Sequence, residues 1–157
     1  MRYQNISHCD QNNGDGLRVV FWVSGCEHHC PGCQNLCTWD KDDGEVFDDK
    51  AKAEIFEDLE NDYISGITFS GGDPLATYNR SSILALACEI KEKYPDKTIW
   101  CYTGYTLEEL MRDPQMEYFL DVCDVIVDGR YEQDKRDVSL PWRGSSNQRV
   151  LRKGIDF

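Results

Sequence analysis

Leu17-Arg18-Val19-Val20-Phe21-Trp22-Val23-Ser24 runs directly into Gly25-Cys26-Glu27-His28-His29-Cys30-Pro31-Gly32-Cys33. The first half is β-branched, aromatic and almost uninterrupted, the pattern of a strand buried on both faces. The second half is a loop that places three thiols within eight residues. A buried strand ending in metal-ligating side chains predicts a site at the carboxyl end of a sheet.

Downstream, the same motif of strand, special turn and helix recurs. Ala51, Ile55, Leu59 and Tyr63 fall at intervals of four and predict one helical apolar stripe, with Asp48 or Asp49 as its N-cap. Gly66-Ile67-Thr68-Phe69-Ser70 reads as a second strand, ended by Gly71-Gly72-Asp73-Pro74. Ile83, Ala87, Ile90 and Tyr94 mark the next helix, stopped by Pro95. Thr98 to Tyr102 is a third strand, closed by Thr103-Gly104-Tyr105, and Thr106 with Glu109 forms a capping box. Met116, Phe119, Leu120 and Cys123 form another helical face before a fourth strand, Val125 to Val127, which ends at Asp128-Gly129.

Four alternations of strand and helix predict an α/β fold with a mainly parallel sheet. They are too few for a closed eight-fold barrel, so a partial barrel or an open sheet is expected, with all four strand ends converging on one site. No repeat, low-complexity tract or linker interrupts residues 1–157, which read as one domain.

Composition narrows the chemistry. Apolar residues make up 40% of the chain, enough for a packed core. The formal charge of −12 disfavours a phosphate backbone as partner, and Asp40, Asp42, Asp43 and Glu45 read as a solvated acidic loop. No apolar run nears the roughly 18 residues of a membrane span, and no signal peptide is visible behind Met1, so a soluble cytoplasmic protein is expected. In a reducing compartment eight cysteines argue for metal rather than disulfides, the more so because four of them crowd into residues 26 to 37.

Taken alone, the Cys26-x3-Cys30-x2-Cys33 spacing admits three readings. Three thiolates can occupy three corners of an iron–sulfur cubane and leave one iron open. Cys30 and Cys33 can form a redox dithiol, and Cys26 and Cys37 can complete a four-thiolate zinc site. Cys37 is otherwise a free loop thiol. His28 and His29 read as exposed loop residues, and Cys88, Cys101 and Cys123 as buried inert thiols. Gly71-Gly72-Asp73 suits a cationic amino group but is also an ordinary tight turn. Thr103 and Asp128 are either ligand contacts or strand-end turn residues. Arg18 counters an acid near the thiols or sits in a surface ion pair, and Trp142 to Gln148 is a packed tail or a partner contact.

The cysteine loop after the first strand, together with Gly71-Gly72-Asp73 after the second, resembles the radical S-adenosylmethionine superfamily. That resemblance implies a truncated β/α barrel and a 4Fe–4S cluster on Cys26, Cys30 and Cys33. It also implies S-adenosylmethionine chelated to the open iron and cleaved by one electron to methionine and a 5′-deoxyadenosyl radical. It assigns the methionine amino group to Gly71, Gly72 and Asp73, and allows Thr103 and Asp128 to meet its carboxylate or ribose. The superfamily's usual aromatic residue before the third cysteine is replaced by Gly32, which leaves the backbone of Gly32, Cys33 and Gln34 to meet the adenine.

Asn13 to Arg18 resembles the entry segment of glycyl-radical-enzyme activases, and Trp100 to Tyr105, Val127 to Tyr131 and Trp142 to Gln148 are similar to the activases of anaerobic (class III) ribonucleoside-triphosphate reductase. This implies a protein substrate, one glycine of the large reductase subunit, and a one-electron donor such as a flavodoxin. A radical enzyme acting on a small molecule and a non-catalytic zinc module are the competing readings. The shortness of the chain disfavours the first, and a brown rather than colourless anaerobic protein excludes the second.

Overall fold

The computed structural model describes residues 1–157. Its centre is a seven-stranded sheet. Strands β2 (Leu17–Val23), β4 (Ile64–Gly71), β5 (Thr98–Tyr102) and β6 (Val125–Asp128) are parallel and lie side by side in chain order. Three strands absent from the sequence reading flank them: β1 (Arg2–Asp10) pairs antiparallel with β2, β3 (Glu45–Val46) with β1, and β7 (Arg149–Arg152) with β6. Of β1 only Ile6 is buried, so it carries no apolar alternation and is held mainly by its ladder to β2.

Alternation along each parallel strand separates two faces. Val19, Phe21, Ile67, Phe69, Ile99 and Ile126 join the main core. Helices α1 (Asp49–Leu59), α2 (Arg80–Lys93) and α4 (Pro114–Val122) close that core with Ile55, Ile83, Ile90 and Phe119. On the other face Trp100, Val125 and Val127 form a small second cluster with Tyr102 and Trp142. All three helices thus cover one face and leave the other open.

Local signals place the helices. Asp48 caps α1, its carboxylate accepting from the Ala51 amide at 2.9 Å. Thr106 and Glu109 form the expected reciprocal box on the one-turn helix α3 (Leu107–Leu110). Asp113 caps α4 directly before Pro114. The α1 stripe ends at Leu59, one turn earlier than its period suggests, and Tyr63 is exposed in the following turn. Cys88 is exposed on the outer side of α2, whereas Cys101 and Cys123 are buried as expected.

Arg18 corrects a second expectation, since it neither meets an acidic group near the thiols nor reaches the surface. It is fully buried near the amino ends of the strands and donates to Thr68, Thr98 and three carbonyl groups. No helix is long and apolar enough to cross a membrane.

Candidate metal centre

The register of the sheet aligns the four strand ends. Val23 lies opposite Gly71, and Tyr102 opposite Val127. The residues that follow therefore meet around a cavity of about 150 Å³. Cys26, Cys30 and Cys33 line it from the loop after β2, Gly71 to Asp73 from the turn after β4, Thr103 and Gly104 from the turn after β5, and Gly129 from the turn after β6.

The cysteine loop is held from below. The Gly25 and Cys26 amides donate to the carbonyls of Thr38 (2.6 Å) and Trp39 (3.2 Å) at the end of a short 3-10 turn, Leu36–Thr38. Cys30-Pro31-Gly32-Cys33 closes on itself through a 3.1 Å bond from the Cys33 amide to the Cys30 carbonyl. Gly32 has φ +77°, and a Cβ there would lie 2.2 Å from Gln133 Oε1. Pro in the second and Gly in the third position is the signature of a type II turn, which explains why no aromatic residue precedes Cys33. Gly32 itself faces Gln133, whereas Cys33 and Gln34 border the groove described below.

The Asn35 amide donates to Cys33 Sγ at 3.3 Å, and the backbone amides of His28 and His29 near Cys26 and of Tyr131 near Cys30 favour the thiolate forms. Burial, only partly offset by these amides, pushes the Cys26 and Cys30 thiols above the ordinary range. A reactive dithiol needs the opposite shift. Amide donors instead suit metal-bound thiolates, whose charge they share.

The donor set fits a cubane held by three residues. Cys37 is exposed and does not line the cavity. No fourth thiol joins Cys26, Cys30 and Cys33 at the cavity, as a four-thiolate zinc site would need.

Asp73 is the hub of the opposite wall. Its side chain is 1% exposed. Oδ1 accepts from the Leu75 amide (2.8 Å) and the Thr103 hydroxyl (3.0 Å), and Oδ2 from the Gly104 amide (2.9 Å) and His28 Nε2 (2.7 Å). Thr103 therefore gives its hydroxyl proton to Asp73, so that proton is not directed at a ligand. His28, expected on the surface, has only 4% of its side chain exposed. Gly71 and Gly72 permit close approach: a Cβ on either would fall 2.5 Å from the Val23 carbonyl oxygen or 2.2 Å from that of Gly25.

Buried Asn79 was not singled out by the sequence. It ties both loops together by donating to the carbonyls of Ser24 (3.0 Å) and Asp73 (3.1 Å). Asp128 lies apart from the cavity. Strand alternation turns its side chain to the helical face, where it accepts from the Leu107 amide (2.8 Å) and from Arg149 Nε (2.9 Å). Its neighbours Val127 and Gly129 line the cavity instead.

The cavity merges into a larger groove of about 510 Å³ on the open face of the sheet, and the two share Cys33, Asn35, Ser70, Tyr102, Tyr131 and Gln148. Trp22, Trp142 and Arg143 line the groove farther out. Trp142 packs edge-on against Trp100, with centroids 5.1 Å apart, and Arg143 Nε is buried with no acceptor.

Residues 12–151 match the family model described as a 4Fe-4S single cluster domain. The fold and the thiol cavity thus belong to an iron–sulfur protein of the single-cluster class. Three curated relatives share nearly its whole length. The chain is 45% identical to the anaerobic ribonucleoside-triphosphate reductase-activating protein of Escherichia coli strain K12, over 96% of this chain and 97% of that one. It is 44% identical to the protein of that name from Pasteurella multocida (97% and 98% covered) and 42% identical to that of Enterobacteria phage T4 (96% and 93% covered). The chain belongs to the family of anaerobic ribonucleoside-triphosphate reductase-activating proteins.

Proposed function

We propose that this chain is a single radical S-adenosylmethionine domain that activates an anaerobic ribonucleoside-triphosphate reductase by generating a glycyl radical on it. The observation that carries this reading is a cavity with three thiols and no fourth, continuous with a groove open to a partner. The four parallel strands in chain order, with helices on one face only, support reading the sheet as a partial barrel with an open lateral side.

When bound, a 4Fe–4S cluster and S-adenosylmethionine supply hydrogen-atom abstraction from a glycine, through one-electron cleavage of the sulfonium to methionine and 5′-deoxyadenosine. The protein's part is positional and electrostatic. Cys26, Cys30 and Cys33 would hold the cluster, and the backbone amides of His28, His29, Tyr131 and Asn35 would offset the charge of the bound thiolates. Gly71, Gly72 and Asp73 form a wall of backbone and buried carboxylate that favours a cationic amino group. Thr103 acts in that wall by fixing Asp73. Cys33 and Gln34 offer a backbone edge to the adenine beside Trp22 and Tyr102. The outer groove receives the partner's glycine-bearing segment. An external one-electron donor such as a flavodoxin supplies the electron.

The test is anaerobic mixing of the reconstituted protein with reductant, S-adenosylmethionine and a large reductase subunit, read by electron paramagnetic resonance. A glycyl-radical signal matched by 5′-deoxyadenosine is expected. Cleavage without that signal would refute the partner, and no cleavage would refute the cofactor reading.

Arg143→Ala separates the groove from the cavity. Losing a charged donor to the partner's backbone should lower the rate of glycyl-radical formation about ten-fold. Cleavage of S-adenosylmethionine in the absence of the reductase should stay at the parent rate. Equal losses in both assays would place Arg143 in the fold and not in partner contact.

A further inference from the structure

We infer that His28 is a positioning residue, the clamp that locks the cysteine loop onto the buried carboxylate organising the ends of β4 and β5. It lies two residues from both Cys26 and Cys30 in the chain, and its side chain crosses the cavity to the opposite wall. Nε2 is 2.7 Å from Asp73 Oδ2, and Nδ1 is 3.1 Å from Arg130 Nε. A guanidinium can only donate, so Nδ1 is the acceptor and Nε2 the donor. One imidazole thereby links the cysteine loop, the turn after β4 and the segment after β6.

The turn after β5 is shaped to receive this ring. A Cβ on Gly104 would lie 2.3 Å from His28 Cδ2. Gly104 is not in the left-handed region, so the space taken by His28, and not the turn itself, demands glycine there. Tyr105 packs edge-on against the ring at 4.5 Å between centroids. Thr103 and the Gly104 amide bind the same carboxylate that His28 binds. A loop residue with only surface duties needs none of this.

This inference rests on the cofactor reading above and adds to it. A molecule that must reach the thiol-held cluster and the Gly71–Asp73 wall at once depends on the spacing between them, and His28 is the side chain that spans that gap. Without it the cysteine loop keeps its own turn and its bonds to Thr38 and Trp39, so the cluster can still assemble. Its distance to the opposite wall is no longer fixed.

The experiment measures equilibrium binding of S-adenosylmethionine to the anaerobically reconstituted protein with the cluster oxidised, so that no turnover occurs. His28→Phe keeps an aromatic ring beside Tyr105 but loses both hydrogen bonds. It should retain iron and sulfide at the parent level and bind S-adenosylmethionine about ten-fold more weakly, because the lost bonds to Asp73 and Arg130 no longer fix the spacing of the site. His28→Gln can donate to Asp73 and accept from Arg130, and should recover most of the affinity. Parent-like binding by His28→Phe, or equal weakness in the Phe and Gln variants, would overturn the inference.

Should His28→Phe fail to take up a cluster, Gly104→Ala gives the same readout, since the added methyl displaces the ring and leaves every cysteine in place. Unchanged affinity in Gly104→Ala would then overturn it. Failure of the parent itself to bind S-adenosylmethionine would sink the cofactor reading, an outcome distinct from a parent and a variant that bind alike.

Discussion

Cys30→Ala should abolish cluster retention and take cleavage of S-adenosylmethionine below detection. Cys30 is part-buried in the thiol cavity. Without it only two thiols face the cavity, and neither Cys37 nor any other cysteine lines it as a substitute. A cubane gripped at two corners is lost to solvent and chelators. Cys26→Ala and Cys33→Ala should behave alike.

The control is Cys37→Ala, an exposed thiol on the short 3-10 turn, which should keep its iron, sulfide and cleavage rate. Iron and sulfide analysis with chromatography of 5′-deoxyadenosine decides the matter. Retained cleavage in Cys30→Ala would remove it from the ligand set. Loss in Cys37→Ala would mean a fourth ligand and a cluster with no open iron.

The parallel centre of the fold was legible because each of its strands is an apolar run that ends in an unusual turn, and those turns do converge. The flanking strands were not. β1 has only Ile6 fully buried, and β7 has no fully buried residue; both add to the sheet through backbone pairing, which leaves little apolar pattern in sequence. The three cysteines announced themselves by local spacing.

The partners of those cysteines did not. His28 meets Asp73 across 45 residues of chain, and Asn79 reaches back 55 to Ser24. Such contacts exist only once the sheet has brought the strand ends together. The link to Gly104, whose lack of a Cβ makes room for the His28 ring, is likewise visible only in the folded chain. Asp128 lies away from the cavity for a related reason. A strand-end carboxylate points to the site or away from it according to a one-residue difference in alternation, which sequence ends do not settle to that accuracy.

Arg18→Met should destabilise the apo-protein by about 3–5 kcal/mol, because it removes a charge whose bonds are all internal and strands the groups that met it. Each of the five guanidinium N–H groups has an acceptor: Thr68 Oγ1 at 2.8 Å from Nε, the Asp15 carbonyl and Thr98 Oγ1 at 3.0 and 2.9 Å from one amino group, and the carbonyls of Ile67 and Thr98 at 2.7 and 2.8 Å from the other. Thr68 passes the link to the Asn13 carbonyl at 2.7 Å, so the arginine knits the lead-in to β2 onto β4 and β5. Burial lowers its pKa to about 10, and it remains a cation at neutral pH.

Arg18→Lys should rescue little, since an ammonium offers three donors without the planar fork. Thermal unfolding of the metal-free protein checks this, with a fall of roughly 2–4 °C expected per kcal/mol at this chain length. A melting temperature within experimental error of the parent would show that the network contributes nothing net. The same variant tests how the site is built. Arg18 and Trp22 lie on one face of β2, the first buried near the amino ends of the strands and the second in the groove at the carboxyl ends. Loosening the amino ends of the strands should therefore shift their carboxyl ends and weaken cluster retention, with all three cysteines untouched.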